Sequence, residues 1–295
     1  MTAGGEITGG NIFWVHSGTG NNNNSGLDPD TPLASIDYAI GKCTASKGDV
    51  IYAMAGHTEN LSGATSCVAD VAGISIVGLG NGANRPLLTS TATDGDIIVS
   101  ADNVKIANIQ FASGIASLVN FIKINANNCT IEDCDFSTVS TYVALCFISL
   151  TTTYDNLTVR RCKFSQVTDP GGTDSNAETG IIYCVDSENI FLEDIYFVGN
   201  FETAFFHNKT TKVQNLWMRR IYGYNALATC VPIQLVAAST GGITDSLIIT
   251  PGATDIAVAN IVGVIGDNFF IGRDANFGND SGGGQLAAFG DAEAS

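Results

Sequence analysis

Asn103-Val104-Lys105-Ile106, Asn128-Cys129-Thr130-Ile131, Asn156-Leu157-Thr158-Val159, Asn189-Ile190-Phe191-Leu192 and Asn215-Leu216-Trp217-Met218 share one pattern. A small polar residue opens a short strand whose first and third residues are apolar. Ser246-Leu247-Ile248-Ile249 and Asn268-Phe269-Phe270-Ile271 fit the same frame, and the seven frames follow one another at 25, 28, 33, 26, 31 and 22 residues. A recurring unit of this length is too short to bury its own apolar face and does so by stacking on its neighbours, which is the logic of a solenoid.

Working outward from the frames, each is preceded by another apolar strand, among them Ile97-Ile98-Val99, Phe121-Ile122-Lys123-Ile124 and Ile181-Ile182-Tyr183-Cys184. Two or three short strands per repeat with no helical stretch between them indicate a β-solenoid. The longer steps place Asp169–Thr179 and Ala237–Thr244 as protruding loops. Ahead of the repeats, Ile12-Phe13-Trp14-Val15 forms a strand. Thr31 then offers an N-cap with Pro32 behind it, and Leu33, Ile36, Ile40 and Cys43 recur at helical spacing. A solenoid exposes unpaired core at its ends, so a helix over 31–43 is expected to cap the first rung. The chain divides into an opening module at 1–60, a solenoid of roughly eight coils at 61–272 and a Gly-rich tail at 273–295.

Composition agrees. The 295 residues are 45% hydrophobic but only 14% charged, with 33 glycines, which suits strands and turns. A net charge of −16 repels phosphate, so neither nucleic acid nor an anionic membrane is expected as a partner. The first ten residues carry no basic or apolar signal region, so the eight cysteines are expected reduced.

The run Trp14-Val15-His16-Ser17-Gly18-Thr19-Gly20, then Gly26-Leu27-Asp28-Pro29-Asp30-Thr31-Pro32, Ser35-Ile36, Tyr38-Ala39 and Gly48-Asp49-Val50-Ile51-Tyr52 resembles the N-terminal motif of right-handed parallel β-helix proteins of the pectate-lyase-like superfamily. Together with the frames, the resemblance spans most of 11–272. It implies an all-β, right-handed parallel β-helix with an asparagine ladder (Asn103, Asn128, Asn156, Asn189, Asn215, Asn268) at one turn. It implies no single activity, because the superfamily holds lyases, hydrolases, epimerases, tailspikes and inert virion proteins.

Stacked rungs lie about 4.8 Å apart, so equivalent positions form columns. One column runs Ala107, Glu132, Arg160, Glu193, Arg219 and the next Asn108, Asp133, Arg161, Asp194, Arg220. Acid and base alternate in both, which predicts ion pairs between rungs. Cys134 and Cys162 share a column with isoleucines and are expected in the core. The sequons at Asn128 and Asn156 fall in the ladder, where burial would keep them from a glycan.

Catalytic signatures are sparse. Glu132/Asp133 and Glu193/Asp194 are acid pairs but already belong to the ion-pair columns, and His57 follows Gly56 near the opening module without an acid partner. No cofactor is implied. Asp274, Asn276 and Asp280 make a weak calcium loop. One outward series resists a bland reading: Phe191, Trp217, Ile248 and Phe270, with Tyr196, Tyr222 and Tyr224 nearby, put apolar side chains on the outside of the later rungs. Such a stripe marks an interface or a sugar platform. From it, and from the resemblance, the expected role is a non-enzymatic structural protein of a bacteriophage virion. That protein would be a capsid decoration or fibre-like homotrimer, made in the host cytoplasm and bound to partners such as the major capsid protein. The alternative is a carbohydrate-active β-helix, either a tailspike depolymerase or a polysaccharide lyase, or a glycan-binding module.

Overall fold

The computed structural model describes residues 9–139, 142–166, 180–199, 201, 204–208, 211–225, 233–250, 258–261, 265–273 and 285–286. The chain is an all-β parallel solenoid. Its strands fall into a sixteen-stranded sheet, which folds round two faces of the coil, and an eight-stranded sheet on the third. The first face stacks Ile12–Val15, Val50–Ala53, Ser75–Gly78, Lys105–Ala107, Thr130–Glu132, Thr158–Arg160 and the leading halves of Glu188–Gly199, Gln214–Asn225 and Gly241–Thr250. The second begins at Thr58–Leu61 and runs through Leu87–Ser90, Gln110–Ser113, Asp135–Ser137 and Lys163–Ser165.

Side chains alternate across each strand, so one register line is all core. On the first face it runs Phe13, Ile51, Ile76, Ile106, Ile131, Val159, Leu192, Met218, Ile243, all buried. On the second, Phe111, Phe136 and Phe164 stack face to face at 4.7 and 4.9 Å. The identical side chain repeating at the rung spacing makes that stack possible.

Each asparagine frame begins at a corner. Asn103, Asn128, Asn156, Asn189 and Asn215 have φ between 56° and 61°, the left-handed region that asparagine tolerates better than other non-glycine residues. Their amides also form a ladder: Asn156 donates to Asn128 at 2.8 Å, Asn189 to Asn156 at 3.0 Å and Asn215 to Asn189 at 2.6 Å. The ladder is on the outside, so the expected burial of Asn128 and Asn156 is corrected: a left-handed corner turns the side chain outward along the stack.

Four further expectations are corrected. The helical cap is absent as such: only Ile36–Ile40 is helical, N-capped by Ser35, because Leu33 pairs with the opening strand and exchanges backbone bonds with Trp14 and His16. The turns number about six rather than eight, closing at Val50–Ala69, Ser75–Val99, Lys105–Ile124, Thr130–Leu150, Thr158–Cys184 and Glu188–Asn208. Ile12–Val15 precedes a loop and the short helix rather than a closed turn, and the return from Gln214–Asn225 lies partly outside the described residues. Ala237–Thr244 is strand rather than loop. Finally, the frames at Ser246 and Asn268 belong to the second face, since Leu247 pairs with Tyr222 and Phe270 with Leu247. The true continuation of the first face is Gly241–Thr244, opened by Thr240, whose hydroxyl accepts the Asn215 N–H at 3.0 Å.

Candidate functional site

The outward residues of the first face build a charged band. Glu132, buried, is met by Lys105 at 2.9 Å, Arg160 at 2.6 Å and Arg161 at 3.0 Å. Burial alone would raise its carboxyl. The hydrogen bonds and charges of Lys105 and Arg160 outweigh this and bring it down to about 2. Arg161 holds Asp133 at 2.7 and 2.8 Å, and Arg220 holds both Asp194 and Glu193, the latter at 2.7 Å. The structure thus brings the two alternating columns together rung against rung.

Beyond this band lies a cleft of about 450 Å³, lined by Phe191, Leu192, Glu193, Trp217, Met218, Arg219, Thr244 and Asp245. Three successive strands supply it, and strand alternation places Phe191, Glu193, Trp217, Arg219 and Thr244 on one outward surface. Phe191 and Trp217 are register partners and remain 41% and 38% exposed, and the indole N–H donates to Asn215 at 2.5 Å. Arg219 stands between two carboxylates, 3.9 Å from Glu193 and 3.8 Å from Asp245. Both distances exceed a hydrogen bond, and its side chain is 59% exposed. The two described columns, extended to Asp245, hold four bases (Arg160, Arg161, Arg219, Arg220) and five acids (Glu132, Asp133, Glu193, Asp194, Asp245), with Lys105 reaching Glu132 from the neighbouring register line, whereas the chain as a whole carries −16.

The expected apolar stripe divides. Tyr196 and Tyr222 are exposed register partners on the second face, not the first, with Lys163 over the Tyr196 ring at 5.7 Å and Tyr224 half-buried two residues along. Ile248 is no part of a surface: opposite Gly223 it points inward and is fully buried, which corrects its place in the series. The side chains of Phe270 and Asn268, and Asp274, Asn276 and Asp280 altogether, lie outside what is described. Thr244 and Asp245 are site residues that sequence reasoning passed over. Extending the corner column Asp194, Arg220 by one further step of 25 reaches Asp245, which shares its left-handed backbone.

His57 does have an acid partner. Its Nε2 lies 3.1 Å from Glu59 while Nδ1 accepts the Ser17 N–H at 3.0 Å, and Glu59 accepts from Ile36 N–H. Fully buried, the imidazole ties the opening loop to the solenoid. Seven cysteines in the described residues are free and six are buried, where desolvation pushes the Cys146 thiol up to about 12. Among the described residues no group of metal-ligating side chains converges.

No protein-family model and no curated protein matches the chain. Among solved structures it is similar to a rhamnogalacturonan lyase, at 12% identity and a TM-score of 0.52, over 88% of this chain and 73% of that one. The likeness is one of fold, a parallel β-helix. The chain also aligns with the GH136 lacto-N-biosidase of Eubacterium ramulus, at 12% identity over 88% of this chain and 67% of that one, but the TM-score of 0.24 is too low to argue from. The expectation of a non-enzymatic virion protein is overturned. The solved chain that this one follows over most of both lengths is a carbohydrate-cleaving protein, and the stripe that suggested an intersubunit face splits between two surfaces. The homotrimer and capsid partner drawn from that role have no support of their own.

Proposed function

We propose that this protein is a carbohydrate-active β-helix that cleaves an acidic polysaccharide by β-elimination in the cleft at Arg219. The observation that carries the reading is an exposed guanidinium between two carboxylates, beside two half-exposed aromatic rings. Each part has a task. The C–H face of a pyranose stacks on Phe191 or Trp217. Arg219, whose contacts to Glu193 and Asp245 are longer than hydrogen bonds, offers a planar fork to a uronate carboxylate and draws off its charge. The proton on the carbon next to that carboxylate is thereby acidified and passes to Glu193 or Asp245. The freed electron pair forms a carbon–carbon double bond, the bond to the glycosidic oxygen on the neighbouring carbon breaks, and that oxygen takes a proton from water. The exposed Arg219 supports the substrate class, because it offers an acidic glycan a cation on an otherwise acidic protein.

The test is incubation of the full chain with a panel of acidic polysaccharides, rhamnogalacturonan and polygalacturonate included. β-Elimination produces an unsaturated sugar with new ultraviolet absorbance. Arg219→Ala is expected to slow its appearance by about a hundredfold or more. New reducing ends without that absorbance would replace elimination by hydrolysis, and an intact panel would defeat the reading.

A further inference from the structure

The face that bears the cleft continues far beyond it. Register carries the column of Arg219 and Glu193 back through Arg160, Glu132, Ala107, Val77 and Tyr52 to Trp14. The inward neighbours Phe13 and Ile51 are buried, so Trp14 and Tyr52 lie on the outward side, half-buried, with ring centroids 5.2 Å apart. The chain has two tryptophans, and both stand on this one face, one near either end. Neither belongs to the buried hydrophobic cluster of the described residues.

A partly exposed indole offers a broad apolar face beside a polar N–H, which suits the C–H face and hydroxyl rim of a sugar ring. Four rungs lie between the Trp14–Tyr52 pair and the Phe191–Trp217 pair, so the pair midpoints are six steps apart, about 29 Å at a spacing of about 4.8 Å. Between them lie the short Val77 and Ala107, the half-buried outward hydroxyl residues Thr130 and Thr158, and the ion-paired Lys105, Glu132 and Arg160. A single extended glycan laid along the coil axis would meet an aromatic pair at both ends of that span.

We infer that Trp14 and Tyr52 form a distal glycan subsite, which stacks a sugar ring of the same chain that is cut at Arg219. This rests on the proposed function and deepens it: the substrate is a long polysaccharide gripped at two points, and cleavage is internal to the chain. Two-point attachment raises the affinity for chains that span both pairs and adds nothing for chains that do not.

Rhamnogalacturonan fragments, separated into classes shorter and longer than the span, are the probe, with the full-length protein and calorimetric binding. The wild type is expected to bind the long class about tenfold more tightly than the short. Trp14→Ala and Tyr52→Ala should remove that advantage and leave short-fragment binding unchanged. Because Trp14 packs on Tyr52 and its truncation could unfold the opening module, Trp217→Phe provides a second readout. It leaves Trp14 as the sole indole, whose fluorescence should respond to the long class and not to the short. If Trp14→Ala keeps the length preference while Trp217→Ala loses short fragments, the cleft stands and the distal subsite falls. If the wild type binds neither class, both fall.

Discussion

Arg161 grips Asp133 of the preceding turn through two parallel hydrogen bonds, 2.7 Å from Nε and 2.8 Å from Nη2, while its own backbone sits at φ 53°. Arg220 does the same to Asp194 from φ 54°. A left-handed corner costs an arginine about 1–2 kcal/mol. The bidentate pair offsets that cost, and the column therefore uses aspartate and arginine where an isolated turn would use glycine or asparagine.

Backbone and pair can be separated at Arg161. Arg161→Ala loses the ion pair and keeps the strained corner, whereas Arg161→Gly loses the pair and relieves the corner. Urea denaturation should show the alanine variant destabilised by about 1–2 kcal/mol and the glycine variant by about half as much. Equal losses would mean that the corner conformation carries no strain.

Glu132 makes stability depend on acid. Its folded carboxyl titrates at about 2 against an ordinary 4.5, so its contribution is fully present above about pH 4.5 and is lost as pH falls toward 2. The shift corresponds to about 3 kcal/mol. Glu132→Gln should cost roughly that amount at neutral pH and little at pH 2, measured as unfolding free energy across the range. A constant difference at both pH values would disprove the linkage.

Asp96 acts in the opposite sense. It is buried, and desolvation raises its carboxyl to about 6 despite the Asn120 hydrogen bond and the charge of Lys123, with Asp94 adding to the rise. A raised acid binds its proton more tightly when folded, so stability declines as pH climbs from about 3.8 to about 6 and is level above. Asp96→Asn should therefore stabilise the protein by about 3 kcal/mol at pH 8 and by almost nothing at pH 4. Calorimetric melting at the two values decides it.

Gly223 is required by a neighbour. The Phe197 ring, stacked on Phe205 at 4.7 Å, fills the space that a Cβ at residue 223 would take. Gly223→Ala should cost about 1–3 kcal/mol by overpacking. The double variant Gly223→Ala/Phe197→Leu should recover part of the loss in the same thermal assay, which a purely backbone effect at 223 would not allow.

Much of the fold was legible because a parallel stack repeats its chemistry at each turn: asparagine at the corner, then an apolar residue one and three places on. Legibility failed at Gly241, where a glycine takes the place of Leu216. A Cβ there would run into the Leu216 carbonyl, so the apolar signal vanishes. Leu247-Ile248-Ile249, on the next face, offered the same alternation and drew the frame to it. That single slip turned Ile248 outward and hid Asp245. The cleft was harder still. Its aromatic rings, guanidinium and carboxylates come from three turns, and only register brings Glu193, Arg219 and Asp245 within reach of one another. The five-residue helix fell short because Leu33 was claimed by a strand, a tertiary choice that local periodicity does not record.

The sign of the outer charges changes at every step of the stack from Glu132 to Arg219, while the apolar interior is alike at every step. Inside, then, the solenoid's period is one turn; outside, it is two. Excising a single turn, such as the one carrying Arg160 and Arg161, would leave a seamless core but set Glu132 and Asp133 directly against Glu193 and Asp194. Excising two would restore acid against base. Between Glu132 and Arg219, a lineage built on this scaffold can lengthen or shorten only in pairs of turns without setting like charges face to face.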